Sequence, residues 1–179
     1  FDVLRARVVG SQLFPANLTA PAANSALSLE ALDAAIDEVD APNAILMSRA
    51  MRRKLVKAAR ANLGGDITVD DPNMFGWRTQ RYNGIPLIDV DVNNVGQRII
   101  DANEAGPAGG TTATSVYVCS FGDGKIMGIQ NGTMRVDDLG ELESKPVFRT
   151  RVEWYVGMGV FHPRAVSRIW GITGADVTA

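Results

Sequence analysis

The sequence predicts an α/β fold, a mixed sheet flanked by helices, and three observations carry that prediction. Apolar residues recur at helical spacing in two segments, at Leu29, Leu32, Ile36 and Val39 and again at Met51, Leu55, Ala58 and Ala59. Between them lies a short apolar run, Ala44 to Met47, which reads as a buried strand. The rest of the chain is a series of strand-like segments punctuated by turn pairs. An order of helix, strand, helix and then further strands argues for helices packed on a sheet rather than for an all-β sandwich.

The opening segment, residues 1–27, carries Pro15, Pro21 and several small residues and is expected to be extended and loop-rich, with one short apolar stretch from Val3 to Val9. Ser28 can cap the first helix and Leu27 can staple onto Leu32, which gives a helix to about Val39, stopped by Pro42. Ser48 caps the second helix, which Gly64 and Gly65 end. Arg81 and Tyr82 lead into Asn83-Gly84, the preferred type I′ turn pair, and Ile85 to Val92 return from it. Pro86 places that return strand at an edge or a bulge. Ala105 to Thr114 reads as a flexible stretch, and Val116 to Phe121 and Lys125 to Ile129, flanking Gly122-Asp123-Gly124, read as a second hairpin.

The final third alternates most clearly. Phe148, Val152, Trp154, Val156, Met158 and Val160 are interleaved with Arg149, Arg151, Glu153 and Tyr155, so one face is apolar and the other charged. A strand from about Pro146 to Val160 is expected, with Trp154 on its buried face; the residues from Pro146 to Val156 alone would span roughly 36 Å. A turn at Phe161-His162-Pro163-Arg164 and the apolar stripe Val166, Ile169, Trp170 and Ile172 follow. The expected organisation is therefore an opening segment over 1–27, an α/β domain over 28–145, and a long strand with a C-terminal strand over 146–179.

Bulk composition narrows the functional classes. The chain has 179 residues, 46% of them hydrophobic, enough for one ordinary core. Lys and Arg total 18 against 20 Asp and Glu, so no overall field favours nucleic acid and any basic contact must be local. Cys119 is the one cysteine and His162 the one histidine, which excludes an internal disulfide and a Cys-rich zinc site. No apolar run approaches the ~18 residues of a membrane-spanning helix, and the first residues lack the basic-then-apolar pattern of a signal peptide. A soluble protein assembled in the cytoplasm is expected. The chain opens on Phe1 rather than Met, as expected of a processed or trimmed chain.

Reactive side chains are solitary. Cys119 and His162 share no third partner marked by spacing, and Cys119 alternates with Tyr117 and Phe121 on a strand, where a free cysteine is expected to be a small buried hydrophobe. His162 before a proline reads as turn chemistry. Asp89 and Asp91 project from one side of a strand without a third ligand, and Asp70-Asp71 and Asp137-Asp138 fall in turn-like contexts. Gly106-Pro107-Ala108-Gly109-Gly110-Thr111-Thr112 is followed by no Lys and no helix, so it reads as a mobile surface loop rather than a phosphate cradle. No catalytic residue, metal ligand or cofactor site is expected. Arg49, Arg52, Arg53, Lys54, Lys57 and Arg60 form a basic face, with no acidic residue between Asp40 and Asp66.

The order of these segments resembles the second half of the major capsid fold of tailed bacteriophages, which encapsulin shells share. The most specific stretch runs from Glu143 to Val166 and includes the long alternating strand and Pro163-Arg164-Ala165. Tyr82-Asn83-Gly84-Ile85-Pro86-Leu87-Ile88 resembles the family's Gly-Ile/Leu-Pro strand, and Ala44-Ile45-Leu46-Met47-Ser48 its strand leading into the second helix. The resemblance implies an axial domain of mixed sheet and flanking helices plus long strands of a peripheral domain. It also implies a start just after the spine helix, without the N-terminal arm or protruding hairpin, so that these residues alone would be a monomer or small oligomer. By resemblance the function is that of a virion capsid subunit, not an enzyme. Copies of itself, in hexamers and pentamers of an icosahedral shell, are the expected partners, with DNA enclosed without sequence-specific binding and no membrane. Subunit-interface candidates are Arg49, Arg53, Lys57 and Arg60 on the helix and Arg149, Arg151 and Glu153 on the strand. An encapsulin-like compartment is the alternative, and a small α/β enzyme or binding domain using Asp89, Asp91 or Cys119 is a further one.

Overall fold

The computed structural model describes residues 2–61, 69–73, 77–90 and 92–178. In chain order its elements are α1 (Asp2–Arg7), β1 (Leu13–Pro15), α2 (Leu29–Glu38), β2 (Ala44–Met47), α3 (Arg49–Ala61), β3 (Val69–Asn73), β4 (Trp77–Tyr82), β5 (Ile85–Asp89), β6 (Glu104–Gly106), β7 (Gly109–Cys119), β8 (Ile126–Gln130), β9 (Arg135–Leu142), β10 (Lys145–Glu153), β11 (Val156–Val160) and β12 (Val166–Ile172). The large sheet runs β1-β12-β7-β2-β5-β4-β3, with β6 added onto β7. β1 with β12 and β2 with β5 are parallel and the other pairs antiparallel, so the sheet is mixed, as expected.

Period-two alternation sorts the central strands onto two apolar faces. Ile45, Met47, Val116 and Val118 join the core under α2 and α3, with Leu32, Ile36, Met51 and Leu55. Ala44, Leu46, Tyr117 and Cys119 point the other way, into a second core with Leu4, Val8, Ile126 and Val166. A strand covered on both faces must be apolar throughout, which is why all four residues of β2 are buried.

Both long helices fall where their periodicity predicts. Ser48 caps α3, its hydroxyl accepting from the Met51 N–H at 3.3 Å. The predicted stop at Gly64 and Gly65 lies outside the described residues. Ser28 occupies the N-cap position of α2, but its side chain makes no cap bond; its carbonyl accepts from Leu32 N instead. The other end of α2 is capped from a distance. Arg164 donates to the carbonyls of Glu38 and Asp37 at 2.9 and 3.1 Å, placing a cation where the helix dipole is negative. The Pro163-Arg164-Ala165 turn thus ties α2 to the start of β12.

Several expectations are corrected. The opening segment is not merely extended: Leu4 and Val8, four residues apart, form the buried side of a helical turn, and β1 joins the sheet. Pro86 lies in an interior strand, because Tyr82 and Ile85 are the pair adjoining the Asn83-Gly84 turn. The next pair, Arg81 and Pro86, exchanges no bonds, and the ladder to β2 begins only at Leu87. Both turn residues have positive φ, 48° and 76°, as type I′ requires. The expected mobile loop from Gly106 to Thr112 is the β6–β7 hairpin, held by Asn24, which donates to Gly109 O at 2.9 Å and accepts from Ala108 N at 3.3 Å. A Cβ at Gly106 would run into that Asn24 side chain. The segments flanking Gly122-Asp123-Gly124 meet only in a bridge between Phe121 and Ile126 and form no hairpin ladder: β7 stays in the sheet while β8 leaves it to pair with β11.

Last, the long strand from Pro146 to Val160 is broken at Trp154-Tyr155 into β10 and β11, which belong to separate two-stranded sheets. Trp154 is 56% exposed, so it is not a core residue. Residues 126–160 therefore form the projecting unit, and β12, expected beyond the α/β domain, returns to the large sheet between β1 and β7.

Candidate assembly surface

The projecting unit is rooted by specific polar contacts. Asn43 donates to Phe121 O at 2.6 Å and accepts from Phe121 N at 2.9 Å, and Lys125 meets the Asp40 carboxylate at 2.9 Å. That hydrogen bond and charge hold the Asp40 carboxyl below the usual carboxylate range. At the root, Ile126 lies opposite Val160 and is buried in the second core, with Met158 and Val160 packed against it. Asn131 N donates to Tyr155 O at 3.1 Å where β8–β11 passes into β9–β10.

Beyond that junction no layer of the described residues lies over the ribbon. Val136 faces Val152, and both are exposed, as are Trp154 and Val156; Phe148, opposite Glu141, is 76% exposed. Two antiparallel strands alone are marginal in water, and exposed large apolar side chains on one face, here interrupted by the Thr150–Asp138 pair, suit an interaction surface. The other face is charged and internally matched. Arg135 lies opposite Glu153 and Asp137 opposite Arg151, while ion pairs join Arg151 to Glu153 and Arg135 to Asp137, the latter at 2.8 Å. Arg149 has no ion-pair partner among the described residues.

On α3, Arg52 and Arg49 approach the Asp89 carboxylate at 2.9 and 4.0 Å, and Lys57 pairs with Asp176 at 2.7 Å. The Lys57 pairing holds the Asp176 carboxyl below its usual range. Among the described residues, the interface candidates Arg53, Arg60 and Arg149 find no ion-pair partner, whereas Arg49, Lys57, Arg151 and Glu153 are engaged within the chain. The helix candidates and the ribbon candidates lie on different units of the fold.

Cys119 is fully buried, as expected, between Ala44 and Val166 on neighbouring strands, and burial pushes its thiol up to about 12. The His162 Nδ1 accepts from Arg164 N at 3.1 Å within its turn. Asp91 and the side chains of Asp70 and Asp71 lie outside the described residues. Among the described residues no cluster of three His, Cys, Asp or Glu side chains is arranged to hold a metal, and no helix is long and apolar enough to cross a membrane.

One group of residues escaped the sequence reading. Arg168, on the apolar strand β12, is buried. It pairs with Glu104 at 2.8 Å, donates to the Ser115 hydroxyl at 3.0 and 2.9 Å, and lies over the Tyr117 ring. Ser115 in turn donates to Glu104, and Arg5 of α1 approaches the same carboxylate at 3.6 Å. The available signal was one charged residue inside the stripe Val166, Ile169 and Ile172.

No family model matches the sequence, and comparison with curated proteins finds no match. Among solved structures, the chain is similar to the holo-SrpI encapsulin complex from Synechococcus elongatus PCC 7942, determined by cryo-electron microscopy. The TM-score is 0.68 at 16% identity, over 98% of this chain and 58% of that one. The chain thus spans 58% of its neighbour's length and shares the fold of that encapsulin.

Proposed function

We propose that the chain belongs to the subunit of a self-assembling, capsid-like protein shell. The observation that carries this reading is the ribbon of β9 and β10, which with the adjoining Trp154 presents Val136, Phe148 and Val152 to solvent with no covering layer among the described residues. Copies of the same chain supply the cover, as closed symmetric assembly requires of a repeated surface. The likeness in fold to an encapsulin supports the reading, as does the solitary character of Cys119 and His162, which speaks for a structural rather than a catalytic role.

Within that reading, the finer proposal is the major capsid subunit of a phage or prophage, assembled in the host cytoplasm and enclosing DNA. The motif from Glu143 to Val166 supports it. An encapsulin-like compartment is the second reading, since the structural neighbour is itself an encapsulin. Electron microscopy of the protein purified from its source tests the shell, and a small discrete species would overturn it. Nuclease-protected DNA inside the particles would support the capsid, and enclosed protein the compartment.

A further inference from the structure

We propose that the first turn of α3 walls an oxyanion-binding cleft that receives a phosphate group. Two adjoining cavities, of 150 and 70 Å³, share Ser48, Ala50, Arg98 and Ile100. Arg49 and Arg53 line the outer one, and Lys54 and Thr114 the inner one. Four cationic residues therefore line the two cavities, Arg49 also approaching the Asp89 carboxylate at 4.0 Å, and among the described residues no acidic side chain lines them. Among the described residues, Arg53 and Arg98 have no ion-pair partner.

The backbone adds to the same field. α3 has 13 residues, and its positive end opens here. The Met51 N–H is taken by the Ser48 hydroxyl at 3.3 Å, while Ala50, one position earlier, lines both cavities. An independent donor lies deeper. Thr114 is 8% exposed, lines the inner cavity, and its hydroxyl oxygen is buried with no hydrogen-bond partner. Buried polar groups are almost always paired, so this hydroxyl has an unused donor to offer a ligand in the cavity.

Chemistry selects that ligand. Guanidinium, ammonium and N–H groups only donate, so the occupant must be rich in acceptors and negatively charged. Donors approach from the helix, from Arg98 on the loop before β6, and from Thr114 on the sheet, which suits a tetrahedral group better than a planar carboxylate. The outer cavity is smaller than the roughly 300–1,000 Å³ of small-molecule pockets, which restricts entry to one oxyanion or the phosphate of a longer molecule. Free phosphate and the phosphodiester of a nucleic acid strand share this chemistry. The inference does not depend on the shell reading, since particles without phosphate binding, or binding without particles, would each decide only one of the two.

Isothermal titration of the chain with inorganic phosphate tests the cleft, alongside a short single-stranded oligonucleotide without terminal phosphates. Saturable binding of one phosphate per chain is expected. Binding should be about tenfold weaker in Arg98→Ala or Arg53→Ala, the loss of one charge-assisted hydrogen bond. It should weaken several-fold in Thr114→Val, which keeps the shape of the side chain and removes an unpaired group, so that its fold is retained. Arg60→Ala, on the same helix but outside the cleft, should bind as the parent does. Oligonucleotide binding that phosphate displaces would identify a polymer as the source, and phosphate binding without it a free anion. Absence of saturable phosphate binding, or binding unaffected by both Arg98→Ala and Thr114→Val, would overturn the proposal.

Discussion

Cys119 and Tyr82 hold their protons for the same physical reason: burial disfavours the charged form. The thiol rises from 9.0 to about 12, and the Tyr82 phenol is raised further by its 2.7 Å bond to the Asp33 carboxylate. Above pH 9 the unfolded chain releases the Cys119 proton while the folded chain keeps it, so stability must fall as pH rises from about 9 towards about 12. Thermal unfolding followed across that window should show the decline, shallower in Cys119→Ala. The native thiol should also resist a disulfide reagent at pH 8 until denaturant is added; immediate reaction would contradict its burial. Trp154 is the opposite case. At 56% exposure, its replacement by Ala should change the unfolding free energy of the dispersed chain by no more than about 0.5 kcal/mol in urea titrations. A loss of several kcal/mol would return Trp154 to a core.

At the scale of elements, the buried group of Arg168, Glu104 and Ser115 pins the β6–β7 hairpin onto β12. Removing one partner of such a pair strands the other in low dielectric. Arg168→Ala should therefore cost about 3–5 kcal/mol in denaturant unfolding, with Glu104 left buried and uncompensated. A cost below 1 kcal/mol would mean that water or Arg5 replaces the lost cation. The same scale shows how far local pattern reaches. α2 and α3 were legible because Leu32, Ile36, Met51 and Leu55 repeat at a period that only a helix satisfies, and the Asn83-Gly84 turn because few residue pairs tolerate positive φ twice. Pro86 misled because its consequence depends on where the β2 ladder begins. The period cannot report that.

Across the whole molecule, the ribbon of residues 126–160 is the part that the fold leaves unfinished. A double replacement, Phe148→Ser with Trp154→Ser, should leave the melting temperature of the dispersed chain unchanged within about 2 °C, because neither side chain packs on the body. The same change should abolish particles in electron microscopy and light scattering of the source protein. Particles of normal size from the double variant would show that this face is not an assembly contact.

Sequence by itself determined the fold class, the two helices, the central strand Ala44–Met47 and the burial of Cys119, because each follows from spacing that one regular element must satisfy. It also indicated the alternating character of Phe148 to Val160. Only the tertiary structure decided what that alternation faces. Period two states that a strand has two different sides; it does not state whether a second layer lies against the apolar one. Here β8 pairs with β11 and β9 with β10, so the apolar side of the outer ribbon meets solvent instead of a core. The cleft beside α3 was equally hidden, because Arg53, Arg98 and Thr114 are brought together by contacts between a helix, a loop and a sheet that are distant in sequence.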